Sequence, residues 1–157
     1  MSDLVMPAFD PLDLAESNAS IIPPPFDAPN RKRWNRRLGA HAGLTTFGVN
    51  LCRVEPGGQT SYRHAHTRQD EFVWVLEGEV VLVTDAGEQI LRPGQCAGFR
   101  AGTGDGHHFV NRSAADVLLL VVGDRLPGDA VSYPDDDIAA SHDGTTYRFT
   151  RKDGSPL

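Results

Sequence analysis

Between residues 44 and 125 the chain never sustains one pattern for long. Eight short apolar runs follow one another: LTTFGVNLCRV, TSYRHAH, EFVWVL, EVVLVT, QILR, CAGFRA, HHFVN and VLLLVVGD. Turn-forming stretches separate them, among them EPGGQ, DAGE, PGQ and GTGDG. Strands at such short spacing, with glycine, proline, aspartate and asparagine between them, predict an all-β sandwich or barrel. No long stretch with a 3.6-residue period intervenes, so helices have no place in the core.

The ends read differently. Residues 1–43 form a lead-in in which IIPPPFDAPN packs four prolines into ten positions. Proline fixes φ and lacks an N–H, so this stretch is expected as an extended arm rather than a central strand or helix interior. Residues 126–157 are polar and turn-rich, with TYRFT as one further strand, and are expected to pack on the barrel or trail from it.

The net charge of −6 argues against general nucleic-acid binding. The basic cluster of Arg31, Lys32, Arg33, Arg36 and Arg37 reads as a solvated arm. Cys52 and Cys96 sit in apolar surroundings and read as buried thiols, with a single disulfide left open. The start carries no basic region followed by an apolar run, and no segment reaches the ~18 apolar residues a membrane helix needs; a cytoplasmic protein is expected.

The chemistry concentrates in GQTSYRHAHTRQDEFVWVLEG, residues 58–78. Alternation puts Thr60, Tyr62, His64 and His66 on one face of a strand, and Glu71, Val73 and Val75 on one face of the next. The intervening TRQD turns the chain, so Glu71 is expected beside His66. Two imidazoles and a carboxylate form a three-ligand set for a divalent transition metal. A fourth ligand is expected from GDGHHFVN, where His107, Phe109 and Asn111 share one face and His108 and Val110 the other. Phe72 and Trp74 alternate away from Glu71 and read as packing between sheets or at a subunit contact. His41 and His142 read as ordinary polar residues.

Gly58, five residues, His64-x-His66, four residues, Glu71, six residues, Gly78 resembles the first motif of the cupin superfamily at every position. Gly94, five residues, Arg100-x-Gly102, then His107, three residues, Asn111 resembles the second. Arginine stands there for the usual proline, and four residues instead of two separate Gly102 from His107. The resemblance implies a jelly-roll barrel, a double-stranded β-helix, over roughly residues 44–125. It implies His64, His66, Glu71 and His107 as metal ligands, with His108 as the less favoured alternative. A nitrogen and oxygen donor set suits zinc, iron, manganese or nickel and disfavours calcium and magnesium.

Cupin chemistry then implies a metal-dependent enzyme acting on a small polar or carbohydrate-like metabolite, by sugar or sugar-phosphate isomerisation or by dioxygenation. A non-catalytic module that binds or senses a small ligand is the alternative. The candidates beyond the metal are Tyr62 as a catalytic acid or donor, and Arg53, Arg100 and Asn111 as substrate contacts. Arg63 alternates away from His64. Exposed sheet edges and the Phe72/Trp74 face suggest a homodimer.

Overall fold

A computed structural model describes residues 4–157; the first three positions of the lead-in lie outside the described residues. Its strands pair antiparallel in three sheets. The largest sheet orders β1 (Arg33–Arg36), β2 (Phe47–Val54), β9 (Val117–Asp124), β4 (Glu71–Glu77) and β7 (Cys96–Phe99) as β1-β2-β9-β4-β7. A second orders β6 (Gly87–Leu91), β5 (Val80–Thr84) and β8 (His108–Val110) as β6-β5-β8. The third orders β12 (Tyr147–Thr150), β11 (Ala139–His142), β10 (Ala130–Ser132) and β3 (Ala65–His66) as β12-β11-β10-β3. This is a jelly-roll barrel, and the eight apolar runs each contribute a strand to it.

Alternation builds the core. Val73 and Val75 of β4 face inward and meet Cys52, Val54, Val80, Leu82, Phe109, Val117 and Leu119 in one buried cluster. Each such aliphatic or aromatic side chain contributes about 1.5–3 kcal/mol on burial. Phe72 and Trp74 point out and remain exposed. Gly78 closes the β4–β5 turn with φ +79°, and a Cβ there would lie 2.8 Å from Asp116 O, so both the backbone and the space require glycine. Gly102 also takes positive φ, as its turn position predicts.

The ends join the sheets. Arg33–Arg36 is a strand of the largest sheet, and Ser17 bridges Asn35. The tail supplies three strands around a second cluster of Val131, Tyr133, Ile138 and Ala140. A four-residue helix, Leu38–His41, is the one α-helix of the described residues; no helix among them is long and apolar enough to cross a membrane.

Three expectations are corrected. TSYRHAH does not run as a strand over its whole length: only Ala65–His66 is strand, because the chain bends over residues 60–63, where the Tyr62 hydroxyl is held by the lead-in carbonyl of Phe26. Cys96 is exposed, since β7 lies at a sheet edge with its side chain on the outer face; Cys52 is buried, and both thiols are free. The basic cluster is not a solvated arm throughout. Arg33 pairs with Val54 across β1 and β2 and turns inward, while Arg36 holds Glu16 at 2.7 Å.

Candidate metal centre

His66 ends β3, His64 lies just before it, and Glu71 opens β4. One ligand atom from each of His64, His66 and Glu71 falls within 4.8 Å of the others. The Nε2 atoms of His64 and His66 each lie 3.5 Å from Glu71 Oε2, and His107 Nε2 lies 2.9 Å from it. That oxygen nevertheless has no hydrogen-bond partner among the described residues. His107 reaches the carboxylate through a backbone bridge to His64, with N–H···O distances of 3.1 and 2.8 Å, so the two extra loop residues do not displace it.

The other ring nitrogens decide which lone pairs are free. His64 Nδ1 lies 2.9 Å from the carbonyl oxygen of Tyr62, and His66 Nδ1 lies 2.5 Å from Asp129 Oδ2. Both partners can only accept, so Nδ1 carries the proton and Nε2 turns its lone pair toward Glu71. Asp129 accepts also from Thr67 Oγ1, the Arg68 N–H and the Tyr147 hydroxyl. A carboxylate that fixes the outer nitrogen of a histidine is the usual support of a metal ligand. His107 has no partner at Nδ1 among the described residues and stacks on Phe99, ring centroids 3.5 Å apart and planes 4° from parallel.

Charge tells the same story. Burial raises the Glu71 carboxyl, but the imidazoles of His107, His64 and His66 outweigh it and hold the group well below its ordinary value. Burial opposes the His64 cation, yet Glu71 holds that imidazole above its ordinary value. Burial is the larger influence on His107 and keeps it below its own. The cluster attracts positive charge, as a proton or as a metal ion. Converging lone pairs, an orphaned carboxylate oxygen and fixed tautomers fit a divalent transition metal.

The cluster forms part of the wall of a cavity of about 800 Å3 between the sheets, within the range of small-molecule sites. A smaller space of about 140 Å3, lined by Ser61, His64, His66, Tyr133 and Arg33, adjoins the same histidines. Arg100 lies beside His66, Glu71 and His107 around a narrow gap of about 10 Å3.

Other expected site residues are elsewhere. Tyr62 donates to the carbonyl of Phe26 at 2.9 Å and packs with the second cluster, so it serves the lead-in and not the cavity. Arg53 lies on the outer face, where Glu16 and Asp116 neutralise it, each at 2.9 Å. Asn111 is fully buried and donates to Val54 O and Ala115 O while accepting from Ser113; it is a latch for the turn after β8, with no valence left for a substrate. Arg63 points away, to Asp135 and Asp85, although the segment that carries it is a bend and not a strand. His108 also points away, its Nδ1 3.0 Å from Ser61 O.

Asp129 and Arg33 were not foreseen. Asp129 is 63 residues from its histidine, and no local pattern announces that contact. Arg33 did carry a signal: in RWNR, alternation sets Arg33 and Asn35 on one face and Trp34 and Arg36 on the other.

The profile of the Cupin domain family matches residues 50–123. A sugar phosphate isomerase of the cupin superfamily from Silicibacter pomeroyi is 47% identical, with 96% of each chain covered and a TM-score of 0.91. A protein proposed as a sugar phosphate isomerase, from Acidithiobacillus ferrooxidans, is 27% identical over 80% of each chain, with a TM-score of 0.72. The polyketide cyclase RemF from Streptomyces resistomycificus, 24% identical over 76% of this chain and 80% of its own, shares the fold at a TM-score of 0.61. No curated protein matches the chain.

Proposed function

Because this chain belongs to the cupin superfamily, we propose that it is a metal-dependent isomerase of a sugar or sugar phosphate, with His64, His66, Glu71 and His107 as the metal ligands. The observation that carries the reading is the convergence of two fixed Nε2 lone pairs on an orphaned Glu71 oxygen, in the wall of a cavity that would accept a hexose phosphate. The similarity to the Silicibacter pomeroyi sugar phosphate isomerase supports the substrate class. His107 completes the set through its 2.9 Å approach to Glu71. A bound divalent ion would polarise a carbonyl and stabilise an enediolate.

Isomerisation also needs a group to move a proton between neighbouring carbons. We assign this to His142, the one imidazole lining the large cavity outside the metal cluster, whose Nδ1 is buried without a partner among the described residues. The two free thiols suit a reducing compartment, and a cytoplasmic site of action belongs to the proposal. So does a homodimer paired through the outer face that carries Phe72 and Trp74.

The test is aldose–ketose exchange, followed by NMR, on neutral and phosphorylated sugars with protein loaded separately with zinc, iron, manganese or nickel. Turnover that His64→Ala abolishes, and that His142→Gln lowers in kcat with metal content intact, supports the reading. Oxygen consumption by the iron form without sugar exchange replaces it with dioxygenation. Loading below about a tenth of an equivalent of any of the four metals removes the metal site itself.

A further inference from the structure

The inner face of β1 carries a cation that no carboxylate among the described residues neutralises. Arg33 and Asn35 sit opposite Val54 and Cys52 in register, so both side chains point between the sheets. Arg33 Nη1 donates to the carbonyl of Thr60 at 2.7 Å, but its Nε is buried and has no partner. No carboxylate lies within ion-pair distance of it among the described residues, whereas seven other arginines each hold one. Arg37 and Arg125 line the same cavity, and neither forms an ion pair among the described residues.

This is selective. The chain has net charge −6, so acidic partners are plentiful. Those near β1 serve the outer face: Glu16 takes Arg36 and Arg53, and Glu55 takes the indole N–H of Trp34. Arg33 is half-buried, its Nε fully so, and a guanidinium shielded in this way without a counter-ion costs the folded state; such groups are normally paired. Desolvation acts on Arg33 in that sense, lowering its pKa from the usual arginine value, with the Arg37 charge adding to it. An anion from outside would supply the missing counter-ion.

Position says what kind. Arg33 and His64 line both cavities together, and Ser61, between them, approaches His64 Nδ1 at 3.1 Å. A ligand bound at the metal cluster thus presents one end to Arg33. A guanidinium with open donors matches a phosphate or carboxylate, which it can bind bidentately. We infer that Arg33, with Arg37 and Arg125 lining the same cavity, is its oxyanion clamp and holds the phosphate of a phosphorylated polyhydroxy substrate. The choice of a phosphate ester rests on the isomerase reading; the anion site rests on Arg33 alone.

The test uses metal-loaded full-length protein, titrated calorimetrically with glucitol 6-phosphate, glucitol, inorganic phosphate and gluconate. Wild type is expected to bind glucitol 6-phosphate at least about tenfold more tightly than glucitol, and Arg33→Gln to remove that difference. Arg92→Gln, at a solvated ion pair outside the cavity, is expected to bind like wild type. Removing an unpaired buried charge should leave the ligand-free Arg33→Gln protein melting at or above wild type. Inorganic phosphate should raise the melting temperature of wild type and not of the variant.

Equal affinity of wild type and Arg33→Gln for glucitol 6-phosphate overturns the inference. So does a wild type indifferent to both phosphate probes, or an Arg33→Gln protein that melts well below wild type yet responds equally to phosphate. Tighter binding of gluconate than of glucitol 6-phosphate overturns the choice of phosphate. Absence of sugar exchange in a wild type that still distinguishes glucitol 6-phosphate from glucitol sinks the isomerase reading and leaves the clamp standing.

Discussion

At Asp129 four donors meet one carboxylate: His66 Nδ1, the Tyr147 hydroxyl, Thr67 Oγ1 and the Arg68 N–H. Burial opposes its charge, yet His66, with the other donors, holds the carboxyl below its ordinary value. An amide cannot replace it, because asparagine must turn its NH2 toward two of these donors, either His66 and Tyr147 or Thr67 and Arg68. If His66 is one of the two, its proton moves to Nε2 and closes the lone pair that faces Glu71. Asp129→Asn is expected to weaken metal affinity by about 10–100-fold, read by competition with a chelator. Unchanged affinity would mean that His66 keeps its tautomer without Asp129. His64, His66 and Glu71 were legible from the sequence because strand periodicity and a short turn bring them together. Asp129 was not, because its contact crosses from the tail to β3, and only the fold creates it.

Strands were easier to read than their edges. Val73 and Val75 against Phe72 and Trp74 follow the two-residue period, since β4 is held on both sides, by β9 and β7. The period failed over residues 60–64, where the chain makes only isolated bridges, and Tyr62 was misplaced with it. The turn after β8 shows how a residue of a motif acts without touching a ligand. Asn111 spans two backbone carbonyls and caps Ser113, so its loss leaves buried polar groups unpaired. Asn111→Ala is expected to lower unfolding free energy by roughly 2–4 kcal/mol in urea, with metal stoichiometry kept. A stable variant with altered ligand affinity would instead return Asn111 to the substrate site.

The whole molecule leaves one sheet face uncovered. Phe72 and Trp74 are 41% and 44% exposed, and β7 is an edge of the same largest sheet among the described residues. The proposed homodimer would cover this face, so Trp74→Glu is expected to yield a monomer by light scattering with unchanged circular dichroism; a monomeric wild type removes the dimer. Cys96 stands directly opposite Trp74 in the register of β4 and β7, with its thiol in solvent. Cys52 is sealed in the core, where burial pushes its thiol up to about 11. While that face is open the chain therefore offers a maleimide dye a single address, beside an indole able to quench it, and the proposed dimer would shield it. The chain carries its own optical reporter for whatever closes over that face.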